Sequence, residues 1–560
     1  MKKIHIVYIL ALVLLAACKR EDFLDRFPQD GISDPTYFKN ENDLKLYLNR
    51  FYDALPVQRG NGENNSDNFV PGTRNPLLAG EYVIPSTDAN WSYTGWANIR
   101  YTNYFLQRYQ RAEIADALKN NYAAEARFFR ALFYWEKVKR FGAVPWISTD
   151  LTDTSSVMLY GPRLPHKQVM DSVLADLNFA VTNAALATNT QFAGRITQDV
   201  AQALKARIAL WEGTFRKYHA LGDEQTFLRA AVEASEALIS SNRYVIWKTG
   251  NPNSDYYNLF IQEELKGNKE SILARRHIKD VSMHNLTRQL SDAWPSYSKA
   301  FVKSFLDKNG TPIALSPLYK GDATLDDERT DRDPRFTQLI ATRGFNFFSN
   351  TNGTRDTMTL SRLPATVTGY AGIKNYSPDP VQWNANQSTL DLFIFRYAEI
   401  LLINAEAKAE LGEATQVVID ATINKIRDRV GMAPMVITAL VKDPASDFPT
   451  LAVLLDEIRR ERRIELAAEG FRFDDLLRWK AGQLSEKPES ILGMKLTPAQ
   501  RALYPAGQVN SIQVDANFNI RVYTNITSRI WNDKYYLYPV PTNELTLNPA
   551  LLPQNTGWTN

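Results

Sequence analysis

Apolar residues recur at steps of three and four through most of this chain, the spacing of one buried helix face. Leu44, Tyr47, Leu48, Phe51, Tyr52 and Leu55 mark the first such face, in a helix predicted to end at Pro56. Residues 57–95 lack the pattern, are rich in Gly, Asn, Ser and Pro, and read as loop. Periodicity returns over 96–118 and again around Ala126, Phe129, Leu132 and Phe133. There Phe128 and Trp135 fall on other faces, so that helix is apolar on several sides and is expected between neighbours. Gly142 ends it and Pro145 follows. Further helices are predicted over 165–187, then from an N-cap at Thr197 through Val200, Ala201, Leu204, Ile208 and Trp211. Phe227, Ala231, Ala234 and Leu238 mark another.

Between residues 243 and 389 the helix pairs lapse, and Gly, Pro, Asn and Trp are frequent. A compact domain rarely holds so long a structureless stretch, so short strands and short helices packed on a helical frame are expected there. Helices resume over 390–411, where Ala405, Ala407 and Ala409 sit beside large aliphatics before Gly412, and over 415–430, with Ile419, Ile423, Ile426 and Val430 before Gly431. Residues 450–468 and 472–481 follow. Consecutive antiparallel pairs that interdigitate small and large residues resemble tetratricopeptide stacking, here with an irregular period. The predicted fold is mostly α: an irregular tetratricopeptide-like helix-pair superhelix with long loops and short β elements in the middle segment. The expected divisions are a signal peptide at 1–17, a helical part at 18–242, and a part at 243–560 with a loop-rich ligand-binding insertion, the last two forming one integrated fold.

The N-terminus has a different character. Lys2 and Lys3 precede an almost continuous apolar run over 4–17, which closes on Leu15-Ala16-Ala17-Cys18. The run is too short to span a bilayer comfortably, since a spanning helix needs roughly 20 apolar residues. Two small residues before the cysteine suit a signal peptidase. The reading is a lipoprotein signal, cleaved before Cys18, whose thiol carries the lipid. Several acyl chains (palmitate among them) at one residue make such anchoring stable.

Cys18 is the only cysteine, so disulfides within the chain and cysteine-based metal sites are excluded. With 44% hydrophobic residues in 560, burial of a large core can hold the fold instead. The 65 basic and 62 acidic residues leave a net charge of +3, which argues against nucleic acid or an acidic lipid surface as partner. No other apolar run approaches spanning length, so the lipid is the expected membrane attachment.

Sequence motifs in order along the chain resemble the SusD/RagB-type nutrient-binding lipoproteins of Bacteroidetes. FLDRFP (23–28) follows the lipid cysteine. Trp96, Ile99, Asn103 and Leu106 match a Trp-x-x-Ile-x-x-x-Asn-x-x-Leu helix, and EARFFRALFYWEKVKRFGAVP (125–145) the helix after it. DRDPRF (331–336), TGYAGIKNY (368–376), FRYAEILLINAEAKAELG (395–412), INKIRDRVGM (423–432) and ERRIELAAEGFRFDDLLRWKAG (461–482) continue the series. YPVP (538–541) and NPALLPQNTGW (548–558) close it. The resemblance covers nearly the whole chain. It implies a cell-surface lipoprotein of the outer membrane that captures glycan fragments, or in some members peptides, for a SusC-type TonB-dependent transporter. It implies binding without cleavage, four repeat-like helix pairs, and loops that carry the ligand. No cofactor is implied, and the sequence has no signature by which bound calcium would be recognised.

Enzyme signatures are scarce. His277 and His284 could share a helix face, but no third ligand accompanies them and the His-Glu-x-x-His spacing is absent. The nucleophile elbow and the phosphate-cradling Gly-rich loop are absent too. A pair of glycosidase carboxylates has no spacing rule by which pattern could exclude it. The run from Glu461 to Arg478 instead predicts an ion-pair hub. Asp456 and Arg460 are expected partners at i,i+4, and Glu461 and Glu465 need cations from Arg462, Arg472 and Arg478. The same reading applies to Asp331, Arg332, Asp333 and Arg335.

A glycan surface should be aromatic, because sugar C–H faces stack on flat rings while edge hydroxyls pair with polar side chains. Asn90, Trp91 and Tyr93 offer both on a predicted loop. In the middle segment Trp294, Tyr297, Tyr319 and Trp383, the last with Asn384 and Asn386, are the further candidates. Family members tend to place ligand aromatics in these two regions. Trp96, Trp135, Trp211 and Trp479 lie inside helical motifs and are assigned to the core. Two other readings remain at this stage: a helix-repeat scaffold that binds only protein partners, and a surface glycan hydrolase.

Overall fold

Asn40 begins the first helix among the described residues, α1 (Glu41–Asn49), with a reciprocal cap: its side chain accepts from the Asp43 amide, and the Asp43 carboxylate takes the Asn40 amide. Leu44, Tyr47 and Leu48 are buried on the predicted face. The helix stops short of Pro56, and a 3-10 turn at Tyr52–Ala54 bridges the gap. The computed structural model describes residues 37–60, 62–151, 155–348 and 354–559. The predicted export signal, Cys18 and the 23–28 motif lie outside the described residues.

The helix predicted over 96–118 is two helices. Ser92 caps α2 (Tyr93–Leu106) by accepting from the Gly95 amide. The chain then turns through residues 107–115 before α3 (Asp116–Phe141). Buried Ala112 and a hydrogen bond from the Glu113 amide to the Lys39 carbonyl tie this turn to the start of α1, which a continuous helix would prevent. Gly142 ends α3 at φ +68°, and a Cβ there would meet Leu537 Cδ1 at 2.8 Å. Next come α4 (His166–Asn183), α5 (Gln198–Tyr218) and α6 (Glu224–Ser240). Thr197 occupies the N-cap of α5, but its side chain makes no capping bond. Each helix from α2 to α6 packs on the next. Trp211 lies at this seam, edge-on to Trp135 and stacked on Phe215.

The middle segment supplies β1 (Ser271–Arg275), α7 (Lys299–Lys303), β2 (Asn346–Phe348), β3 (Arg355–Thr357) and β4 (Leu392–Arg396). β1 and β4 pair antiparallel, with Leu273 opposite Phe395 and Arg275 opposite Leu392. The helix predicted from 390 therefore starts as a strand. Leu-Phe-Ile-Phe is an apolar run that suits either state, and here it is buried on both faces. Only then does α8 (Tyr397–Glu410) begin, buried on every side, with Ala405 and Ala407 allowing close approach to α6.

The predicted helix 415–430 also divides, into α9 (Gln416–Ala421) and α10 (Ile423–Arg429). At the break the Thr422 hydroxyl donates to the Val418 carbonyl, a side-chain bond that competes with the helical ladder. α11 (Val453–Glu465), α12 (Arg472–Arg478) and a two-stranded pair, β5 (Leu492–Lys495) with β6 (Asn519–Arg521), complete the frame. α11 packs on α8.

The chain is thus mostly helical, with tetratricopeptide-like stacked pairs and short strands. Its main apolar core joins α1–α6 to Leu273, Ile394, Ala398 and Ile458. A second core gathers Phe69, Tyr256, Tyr297, Phe301, Phe336 and Tyr370 beneath the loops.

Candidate functional site

α11 carries seven charged residues that are all buried: Asp456, Glu457, Arg459, Glu461, Arg462, Arg463 and Glu465. A buried charge is tolerated only when paired, so each must find a partner, most of them on other elements. Glu465 meets Arg396 at 2.7 Å, Arg335 at 3.2 Å and Arg429. Glu461 meets Arg335 at 2.6 Å and Arg427 at 2.8 Å. Glu469, just beyond, meets Arg396 and Lys374, both at 2.6 Å.

The predicted hub exists, but with other cations. Arg462, Arg472 and Arg478 reach Asp475, Asp67 and Glu406 instead, while Arg335 from a loop, Arg396 at the end of β4, and Arg427 and Arg429 of α10 serve Glu461 and Glu465. Asp456 and Arg460 do not pair with each other. Asp456 takes Lys442 and the Ser446 hydroxyl, and Arg460 takes Asp443 and Glu457, because the 442–448 loop lies across α11. Asp333 and Arg335 pair as expected, at 2.7 Å. Asp331 pairs with Lys308, while Arg332 spends its guanidinium on the carbonyls of Val302, Phe305 and Glu328. Burial alone would raise the Glu465 carboxyl; Arg429, Arg396 and Arg335 overcome that and hold it at about 2. Arg335 and Arg427 likewise hold the Glu461 carboxyl below the usual range against burial, and Arg396 and Lys374 do so for Glu469, the state of structural counter-charges.

His277 and His284 meet edge-on, with ring centroids 4.5 Å apart. The amide of Leu286 donates to His284 Nδ1, so Nε2 carries the proton toward the Leu390 carbonyl at 2.9 Å. Burial, and then the charge of His284, pulls His277 down to about 4, and burial does the same to His219, also to about 4. Both folded values lie below the ordinary 6.5, so the fold stabilises the neutral rings. That stability is complete above pH 6.5 and is lost as pH falls toward 4. Thermal melts across this window should show a falling Tm, and the double variant His219→Gln, His277→Gln should show a flatter profile. A Tm independent of pH in the parent would refute the assignment.

The structure separates the predicted ligand aromatics. Trp91 is only 6% exposed: Asp88 caps the 3-10 turn Ala89–Trp91, Arg140 holds Asp88, and the indole is driven edge-on against Phe141 at 4.8 Å. Trp294 lies against Tyr376 at 5.0 Å, and Tyr297 stacks on Phe301 at 4.5 Å in the second core. Trp383 donates its indole N–H to Ser291 and has Arg288 over its ring at 4.6 Å. These four rings are buried and offer no open face, contrary to the expectation of exposed platforms. Asn90 and Tyr93 are exposed, Tyr93 at 73%, near the start of α2. Of the helical tryptophans, Trp135, Trp211 and Trp479 are buried and Trp96 half-buried.

Of the candidates, Tyr319 lines a cleft. The cleft holds about 680 Å³ and lies between α7 with the 313–319 loop on one wall and α11 with the 443–448 loop on the other. Lys487 and Glu489 line it as well. Half-buried Tyr319 and Phe448 supply rings, and Ile313 and Ala300 add apolar surface. Phe448 is set edge-on by Trp479 at 5.7 Å. Most of the remaining lining is charged, and the signal that could have found it is the run of arginines at 459–463 facing Asp443 and Asp447.

Comparison with known proteins agrees with this architecture. A model described as the SusD family matches residues 273–558. The SusD-like protein P2 of Formosa agariphila is 24% identical over 595 aligned positions, spanning all of both chains. Among solved structures, a SusD-like protein from Bacteroides fragilis superposes with a TM-score of 0.71 at 24% identity, covering 95% of this chain and 100% of its own. A SusD-like carbohydrate binding protein of the same organism gives 0.70 at 23% identity, covering 92% and 100%.

Proposed function

Because this chain belongs to the SusD family, we propose that it is a lipid-anchored protein of the cell surface that captures glycan and delivers it to a SusC-type TonB-dependent transporter of the outer membrane. The observation that carries this reading is the family match across half the chain, joined to a full-length curated relative. The carbohydrate-binding description of a solved relative supports glycan as the ligand class. The cleft edged by Tyr319 and Phe448 suits the same chemistry.

Cys18 at the end of the export signal supports the anchor, and no helix among the described residues is long and apolar enough to cross a membrane. Transport then needs a second protein. An exposed apolar run, Val157, Met158, Leu159 and Tyr160, supports such a partner. Exposed Leu547 and Leu552 lie beside it, because the Asn548 side chain donates to the Gly161 carbonyl and Arg163 to the Leu551 carbonyl. In this reading the protein binds without cleaving, and one observation supports it: Glu461, Glu465 and Glu469, in the run that looks catalytic in the sequence, are spent on buried guanidinium and ammonium groups.

Extraction of the tagged protein from native membranes in mild detergent should bring down a large β-barrel. Cys18→Ala should release the protein from the membrane fraction. Recovery of the tagged chain alone, repeatedly, would refute the delivery role, and a membrane-retained Cys18→Ala variant would refute the anchor.

A further inference from the structure

Resting on the capture reading above, we propose that the cleft between α7 and α11 is a saccharide site, and that it takes an uncharged, hydroxyl-rich ligand. Its volume of about 680 Å³ falls within the size range of small-molecule sites. The class of ligand follows from how the lining charges are already engaged.

Six cations face the cleft, and every one has a carboxylate partner. Arg460 holds Asp443 at 2.8 Å, and Arg463 and Lys487 hold Asp447 at 3.0 and 2.6 Å. Lys303 holds Glu489 at 2.8 Å, Arg472 holds Asp67 at 2.7 Å, and Arg459 holds Glu410 at 3.1 Å. The fourth lining carboxylate, Asp456, is held by Lys442 at 2.7 Å. An acidic sugar would meet no unpaired cation and would sit against four carboxylates. A cationic peptide would meet no unpaired carboxylate and would sit against six cations.

A hydroxyl needs neither. An ionised carboxylate accepts about four hydrogen bonds, and Asp447 uses two and Glu489 one. The lining is therefore rich in spare acceptors, which suits a ligand that brings O–H donors. Arg459 also lines the cleft; it is 2% exposed, and its guanidinium lies over the Phe448 ring at 4.7 Å, which fixes that ring. Tyr319 and Phe448 supply ring surface for the C–H faces of the same ligand.

Calorimetry on the purified chain tests this with three probes: neutral oligosaccharides, uronic-acid oligosaccharides of matched length, and a lysine-rich peptide. Two variants accompany it, Tyr319→Ala and Ala445→Trp. Ala445 is an exposed lining residue, so a tryptophan there fills the cleft without disturbing the core. The parent should bind at least one neutral oligosaccharide, and each variant should weaken it by about tenfold or more at unchanged Tm. Tighter binding of the uronic-acid probe or the peptide would overturn the ligand class. Neutral binding that both variants leave intact would overturn the cleft assignment alone and leave the capture reading standing. Failure of the parent to bind any of the three probes would overturn both.

Discussion

Replacing Glu465 by glutamine should cost this protein about 3–5 kcal/mol, the usual effect of removing one partner from a buried ion pair. Glu465 is fully buried and faces three guanidinium groups, those of Arg396, Arg429 and Arg335. Glutamine keeps the volume, so no cavity opens; what changes is that three buried cations lose their shared counter-charge. Glu270 still reaches Arg396 and Arg429, and Glu461 still reaches Arg335, but none of them fills the place between the three. The loss should therefore fall on the junction of β4, α10 and α11 with the loop that carries Arg335. A rim pair supplies the control. Lys139 meets Asp474 at 2.8 Å with the carboxylate partly exposed, and Asp474→Asn should cost about 1 kcal/mol or less. Urea denaturation followed by tryptophan fluorescence measures both variants. Equal and small effects would show that the network contributes little beyond filling space. Acid provides an independent check: the Glu465 carboxyl is held at about 2 against an ordinary 4.5, so its contribution is complete above 4.5 and fades as pH falls through 2. In the glutamine variant that acid dependence should shrink.

Periodicity located the helices because burial of one face leaves a mark at every third or fourth residue. It could not separate α2 from α3, or α9 from α10, because those breaks are made by contacts such as Glu113 to Lys39 and Thr422 to Val418, which leave the apolar spacing unchanged. It could not tell β4 from helix, since Leu-Phe-Ile-Phe carries no period. The charged run of α11 was legible as an ion-pair hub, but its partners were not. Arg335, Arg396 and Arg429 lie tens of residues away, and only the fold brings them to Glu465. The site was harder still. An aromatic in a Gly- and Asn-rich stretch looks exposed, yet whether a ring has a free face depends on chain distant in sequence. Phe141 covers Trp91 and Tyr376 covers Trp294. Tyr319 was visible as a candidate, but the lining of its cleft is drawn from six separate stretches of chain.

The pair Trp91 and Tyr93 turns that lesson into opposite expectations for two aromatics only two positions apart. Trp91 sits against Phe141 at 4.8 Å and Trp96 at 5.7 Å and joins the main core, although its backbone is a short turn outside any long helix. Trp91→Ala should open a cavity at the junction of α2 and α3 and cost about 3–5 kcal/mol, as for other large-to-small core changes involving tryptophan. Tyr93, at 73% exposure, takes no part in that core, and Tyr93→Ala should stay within about 0.5 kcal/mol of the parent. The two variants share the same turn, the same Asp88 cap and the same start of α2, so a general disturbance of the loop would affect them alike. Thermal melts of both decide between the alternatives. A Trp91→Ala protein that melts with the parent would mean that the indole is not packed as described and that its face is free for ligand after all. A marked loss in both would mean that the turn, not the ring contacts, holds this end of the frame together.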